Sequence, residues 1–415
     1  MLPHHAKSGN SNPHWVTHGA RVVFVDDELS HSKFHCLGRI FMAGLDKHTV
    51  EVGELFSPRP VSRVVNAGLR RPDSRKSIPR PDGLLLLDKN ENTDPELKAW
   101  LDRVQTRISA VSLSTYPDLG PLYSELSNWL GIPVDQLVLT TGSDGAIQRT
   151  FEMFVEPNDA VLLTQPTFAM YQVYANSFGA RVHCLEYERT ESAPKLDLNR
   201  ILTAIEELHP RLFCLPNPDS PTGNVLSLTD LDQVIRACGS AGTVLLIDEA
   251  YHPFTPITAI PFVASNPHVL IARTFSKAWG LAGLRTGYLV GHPETIEWFH
   301  RTRPMYEIGE YANAFLSVAI REHAEMTASV ERLTAGKIFF AESMTSLGFE
   351  MLASGGNFQH VAFGDSASRI HSALRPFALY RADSDFDCLR GFSRFSSTTR
   401  DLFSPIVNVI SDCGG

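Results

Sequence analysis

From Leu84 to about residue 305, short continuous apolar runs alternate with stretches in which apolar residues return every three or four positions. Short runs bounded by turn formers read as strands of a sheet covered on both faces, and the longer period reads as helices packed on it. The runs predict strands at 136–140, 160–164, 181–185, 211–215, 243–247, 269–273 and 287–290. Between and after them the periodicity predicts helices at 146–154, 168–177, 198–208, 231–238 and 294–303. A first helix is expected after Thr93-Asp-Pro-Glu96, read as a capping box with proline in the first turn, presenting Leu97, Trp100, Leu101 and Val104 to the core.

Strands alternating with helices predict an α/β domain, with a mostly parallel central sheet flanked by helices, over residues 83–305. Past residue 305 a long helical stretch, 311–340, precedes strand-like runs near 358–363 and 389–397, which predicts a smaller α+β C-terminal domain, 306–415. Residues 1–82 differ in character. Their β-like runs at 21–25 and 49–52 end in a segment rich in Pro, Arg and Ser, and they read as an N-terminal appendage and linker. A chain of 415 residues is long enough for this division.

Composition narrows the class of partner. The formal charge is -9, and the basic cluster Arg70, Arg71, Arg75, Lys76 and Arg80 reads as a solvated linker, so a nucleic-acid partner is not expected. No apolar run approaches the roughly 18–20 residues of a membrane helix, and Met1-Leu-Pro-His-His shows no secretory signal pattern. The six cysteines Cys36, Cys184, Cys214, Cys238, Cys388 and Cys413 form no C-x-x-C pair. They read as reduced core residues of a cytoplasmic protein, with no metal site.

Four segments at the ends of predicted strands carry the chemistry, and ligands of open α/β sheets gather at the strand carboxyl ends. In Thr140-Thr-Gly-Ser-Asp-Gly-Ala146 a strand enters a small turn opening a helix, which is a phosphate site or a plain strand-to-helix turn. In Pro216-Asn-Pro-Asp-Ser-Pro-Thr-Gly223 prolines and a glycine set the backbone, either to aim the Asn217 amide at the crevice or simply to form a tight loop. Asp248, after the run Val244-Leu-Leu-Ile, needs a partner at its buried position. A protonated pyridinium nitrogen would serve, as would a metal or a helix N-terminus. Tyr251 follows three residues later and could reach a phenolate oxygen on the same ring.

The fourth segment, Arg273-Thr-Phe-Ser-Lys-Ala-Trp-Gly-Leu-Ala-Gly-Leu-Arg-Thr-Gly-Tyr288, is the most specific. A lysine among hydroxyls in a glycine-rich, mostly apolar stretch suits Schiff-base chemistry, which uses the neutral amine. Arg285 would clamp a phosphate together with the Thr274 and Ser276 hydroxyls.

Taken in order, these segments resemble the fold-type I pyridoxal-phosphate aminotransferases, most closely the histidinol-phosphate aminotransferase branch. The resemblance extends to Leu87-Asp-Lys-Asn-Glu-Asn92, Tyr116-Pro-Asp118 and Gln165-Pro-Thr-Phe-Ala-Met-Tyr171, and covers roughly residues 84–405. It implies pyridoxal 5'-phosphate as cofactor, held by Lys277 as a Schiff base, with Asp248 on the pyridine nitrogen and Tyr251 and Asn217 at the ring oxygen. Ser143, Asp144, Thr274, Ser276 and Arg285 would surround the phosphate, and Phe168 would cover the ring. Tyr116 would reach the phosphate of a second subunit, which implies a homodimer. Arg394, in Ser393-Arg-Phe-Ser-Ser-Thr-Thr399, would grip the substrate α-carboxylate, with Arg390 and Arg381 as neighbouring alternatives. Residues 1–80 have no counterpart in the family, and the segment 351–363 keeps little of its pattern beyond Asn357-Phe358.

The expected activity is transfer of an amino group between an amino acid or amino-phosphate donor and a keto acid. Its rivals are a decarboxylase or a cyclase on the same fold, and a non-enzymatic binding module.

Overall fold

The computed structural model describes residues 80, 82–108 and 114–414, all within one compact unit spanning Arg59–Gly415. The β-like runs at 21–25 and 49–52, the basic cluster apart from Arg80, and Cys36 lie outside the described residues.

In chain order the strands are β1 (Leu85–Leu86), β2 (Leu137–Thr140), β3 (Ala160–Gln165), β4 (Arg181–Glu186), β5 (Leu212–Pro216), β6 (Val244–Asp248), β7 (Val269–Thr274), β8 (Gly287–Gly291), β9 (Glu350–Leu352), β10 (Phe358–Ala362), β11 (Ala378–Leu379) and β12 (Phe392–Ser396). The helices are α1 (Pro95–Arg107), α2 (Gly120–Leu130), α3 (Gly142–Phe154), α4 (Met170–Phe178), α5 (Leu198–Leu208), α6 (Leu228–Ala241), α7 (Pro293–Thr302), α8 (Glu310–Arg321), α9 (Ala324–Ser346), α10 (Ala367–Leu374) and α11 (Arg400–Gly414).

A seven-stranded sheet in the order β2-β8-β7-β6-β5-β3-β4 forms the centre. Strands β5, β6 and β7 are buried along their whole length. Their alternate residues serve two cores. Phe213, Leu215, Leu245, Ile247 and Ile271 face one core together with Trp100, Leu122, Ile201, Leu231 and Phe315. Cys214, Leu246, Leu270 and Ala272 face the other with Ile147, Phe151 and Phe299. That two-sided burial explains the unbroken apolar runs in the sequence.

All pairings in this sheet are parallel except those of β8, which is antiparallel to both β2 and β7. The exception positions the site. The carboxyl ends of β2, β3, β5, β6 and β7 share one edge, and β8 brings its amino end there, with Gly287 opposite both Thr140 and Thr274. A Cβ at Gly287 would lie 2.8 Å from Gly142 Cα, so glycine is what allows the start of α3 to press onto this edge.

A second sheet, β12-β10-β9, is antiparallel, and β1 pairs in parallel with β11. Its outer core joins Phe340, Val361, Ile370, Phe395, Phe403 and Ile410 to Leu87 from the far end of the described chain.

Several local expectations are corrected. Asp94, not Thr93, caps α1, its carboxylate accepting from the Glu96 amide at 3.0 Å, while the Thr93 hydroxyl donates to Thr398. The stretch 311–340 is two helices, broken at Glu322 and His323. Cys184 is exposed on the edge strand β4 and not in the core, whereas Cys214, Cys238 and Cys388 are buried.

Candidate active site

One cavity opens at the shared strand edge. Ser143, Asp144, Phe168, Asp248, Tyr251, Thr274, Ser276, Lys277 and Arg285 all line it, so nine of the residues proposed from separate segments converge.

At one end lies the start of α3, whose Thr141 cap makes no side-chain hydrogen bond, leaving first-turn N–H groups open toward the cavity. The Thr274 hydroxyl donates to Ser276 Oγ at 3.0 Å, and the Arg285 guanidinium approaches the same oxygen at 3.5 Å. Arg285 takes a left-handed backbone, with φ 52°, just before β8. Among the described residues it pairs with no carboxylate. Uncapped N–H groups, three hydroxyls and an unpaired guanidinium fit a phosphate. The Asp144 carboxylate is turned to the Tyr174 hydroxyl at 2.9 Å, so what this residue can offer an anion is its backbone.

At the other end sits Asp248, the last residue of β6 and buried. Burial pushes its carboxyl up to about 6, while hydrogen bonds from the Tyr171 hydroxyl and the Ala250 amide pull it back. Among the described residues no cation pairs with it. A buried carboxylate facing a cavity without a cationic partner fits a protonated ring nitrogen, the group that pyridoxal phosphate would present. No cluster of ligating side chains that could hold a metal occurs among the described residues.

Lys277 is half-buried between these ends, its Nζ donating to the Lys89 carbonyl at 2.7 Å and lying 5.9 Å from the centroid of the Tyr251 ring. Phe168 overlies the cavity, edge-on to Tyr171 at a centroid distance of 6.0 Å.

Three proposed residues stand apart. Asn217 is buried but does not line the cavity. Its carboxamide is engaged by the Leu226 backbone, Oδ1 accepting at 2.8 Å and Nδ2 donating at 3.3 Å, so it braces the loop. Tyr116 is 79% exposed and stacks on Tyr306, 4.4 Å between centroids. Arg394 lies beyond the cavity wall, donating to the Asp88 carbonyl at 3.0 Å and reaching Ser220, a wall residue, at 3.5 Å. It has no carboxylate partner among the described residues, its Nε is buried without a hydrogen bond, and burial lowers its pKa. Arg381 donates to the same Asp88 carbonyl at 3.3 Å. Arg390 is exposed and ion-paired with Asp387.

Residues that the sequence did not single out by role are Tyr171, Asn90 and Ser220. Tyr171 had a signal: it lies three residues after Phe168, one turn along the same segment.

A phosphate cradle, a buried carboxylate and a lysine at the carboxyl edge of a mixed α/β sheet define a pyridoxal-phosphate site. The chain matches the family described as aminotransferase class I and II over residues 82–401 and belongs to it. Histidinol-phosphate aminotransferase 1 of Cupriavidus pinatubonensis is 33% identical over 304 residues, covering 70% of this chain and 78% of its own length. The aromatic amino acid aminotransferase of Streptomyces coelicolor is 28% identical over 305 residues, covering 70% of this chain and 83% of its own. In fold, the structure of histidinol-phosphate aminotransferase from Sinorhizobium meliloti in complex with pyridoxal-5'-phosphate aligns with a TM-score of 0.69 at 20% identity, covering 90% of this chain and 98% of that one. This protein is a pyridoxal-phosphate-dependent aminotransferase, and the decarboxylase or cyclase reading is not favoured.

Proposed function

We propose that the enzyme moves an amino group between a donor carrying a carboxylate or phosphate, an α-amino acid or amino phosphate, and a keto acid. The observation that carries this reading is Arg394, a guanidinium with no carboxylate partner among the described residues, set against Ser220 of the Lys277 cavity. Arg381 beside it would add a second cation, which suits a phosphate as well as a carboxylate. The names of the relatives, histidinol-phosphate and aromatic amino acid aminotransferases, support both donor classes.

When bound, the cofactor supplies the electron sink for the carbanionic charge at the substrate Cα. Lys277 Nζ would hold it covalently, and as a free amine would move the proton at the substrate Cα. Asp248 would pair with the protonated pyridine nitrogen. Tyr251 meets the ring oxygen, Phe168 covers the ring, and the start of α3 with Ser143, the Asp144 backbone, Thr274, Ser276 and Arg285 binds the phosphate. Asn217 would meet the ring oxygen beside Tyr251, its carboxamide steadied by the Leu226 backbone.

We assign the site to a homodimer working in the cytoplasm. The exposed Tyr116, Met305 and Tyr306 support a second copy on that face, and the free cysteines support a reducing compartment. A domain boundary near residue 305 is likewise proposed, on the strength of the separate core around Phe340 and Phe395.

Borohydride treatment of the cofactor-loaded enzyme, followed by peptide mass spectrometry, should place the cofactor on Lys277. A different labelled lysine overturns the assignment. Mixing the loaded enzyme with a panel of amino acids and amino phosphates should release about one keto product per site without carbon dioxide, and release of carbon dioxide would overturn transamination.

A further inference from the structure

Asn90 is buried and has no role assigned to it above, yet every one of its polar groups is engaged. Its backbone N–H donates to Ser396 Oγ at 2.8 Å, and its carbonyl accepts from Asn357 Nδ2 at 3.1 Å. Its side-chain Oδ1 meets Ser396 Oγ at 3.1 Å, and its Nδ2 meets the Tyr251 hydroxyl at 2.9 Å. The backbone is left-handed, φ 55°, a conformation in which asparagine is among the few tolerated residues.

As the carboxamide is oriented in the structure, these contacts carry a consistent set of proton directions. A backbone N–H can only donate, so Ser396 Oγ is its acceptor and spends its own proton on Asn90 Oδ1. In this arrangement the carboxamide presents Nδ2 to Tyr251. Nδ2 can only donate, so the phenol oxygen accepts from it, and the single phenol proton must point elsewhere. Among the described residues the phenol makes no other hydrogen bond. Lys277 Nζ stands 5.9 Å from its ring centroid, Phe358 lies edge-on at 5.4 Å, and Arg394 is the charged group beyond.

We propose that Asn90, turned by Ser396, is a positioning residue that aims the Tyr251 phenol proton at the ring oxygen of the bound cofactor, an inference that rests on Tyr251 being the partner of that oxygen. The device is directional. An amide facing the phenol makes tyrosine a donor toward the cofactor, whereas a carboxylate there would take the proton back.

The test is the pH at which the lysine-attached cofactor changes its absorbance in the full-chain enzyme. A hydrogen bond donated to the ring oxygen stabilises its anionic form, so losing that donor moves the midpoint upward. Asn90→Asp, with Asp also tolerant of the left-handed backbone, should raise the midpoint by about one pH unit. Ser396→Ala and Asn90→Gly, the latter suited to φ 55°, should shift it in the same direction by less and keep the fold testable if the aspartate variant misfolds. Tyr251→Phe should raise the midpoint too, and adding Asn90→Asp to it should do nothing more. A midpoint that moves in Tyr251→Phe but stays at the wild-type value in the Asn90 and Ser396 variants overturns the positioning role alone. A midpoint unmoved in Tyr251→Phe removes Tyr251 from the ring oxygen and the inference with it.

Discussion

Tyr171 donates its phenol proton to Oδ2 of Asp248 across 2.7 Å, while the Ala250 amide holds Oδ1 at 3.0 Å. The carboxylate is thus kept in place by two donors but lacks a cation partner among the described residues, and burial outweighs both, raising its pKa to about 6.

That balance sets the pH dependence of the cofactor-free protein. Asp248 holds its proton more tightly folded than unfolded, so its ionisation subtracts stability as pH rises from about 4 to about 6, and the loss is complete above that. Asp248→Asn should therefore stabilise the cofactor-free enzyme at pH 8 by roughly 1–3 kcal/mol, with the gain vanishing toward pH 4. In the loaded enzyme the same change should lower turnover by roughly 10²–10³-fold. Urea melts at several pH values check the first effect; equal stability at pH 4 and pH 8 would contradict it.

Arg394 and Arg390 lie four residues apart with opposite surroundings. Arg394→Ala should raise the KM for the amino donor by about 10²-fold, the loss of a charge-assisted pair, and leave the bound-cofactor spectrum unchanged. Arg390, exposed and paired with Asp387, should tolerate alanine within about two-fold in KM. Steady-state kinetics on both variants decide. An unchanged KM in Arg394→Ala would sink its carboxylate role.

The stacked pair Tyr116 and Tyr306 and the neighbouring Met305 should face a second subunit. Light scattering should give twice 46.0 kDa for the wild type, and Met305→Asp should shift it toward 46.0 kDa. Tyr116→Phe should keep the dimer but weaken cofactor affinity roughly ten-fold, the loss of one hydrogen bond to a phosphate. A monomeric wild type contradicts both expectations.

Much of this was legible in the sequence because the chemistry is local to strand ends. Asp248 follows its apolar run, and Lys277 and Arg285 flank the turn between β7 and β8, so motif and geometry coincide. Helix α11 carries Pro405 inside it, a residue type that interrupts helical sequence signals, although Phe403, Ile406 and Ile410 pack in the core. Helix α2 opens on Gly120-Pro121, which reads as a turn. The setting of the Asn217 carboxamide was not legible either. A rigid loop fixes where an amide points, but only the fold brings the Leu226 backbone within its reach. Contacts such as Asn90 with Ser396, 306 positions apart, leave no periodic trace at all.

Leu87 is buried among side chains from the last quarter of the chain, and the three residues after it hold Arg394, Lys277 and Tyr251. During synthesis the central sheet can form as soon as β8 emerges, but this short N-terminal stretch must wait for residues 340–410 before it has anything to rest on. Closing so long a loop comes late on any folding route. A ribosome-bound chain with its lysine and phosphate cradle already made would still lack the part that seats the substrate, so competence for turnover arrives only when residues 85–90 meet the C-terminal quarter of the chain.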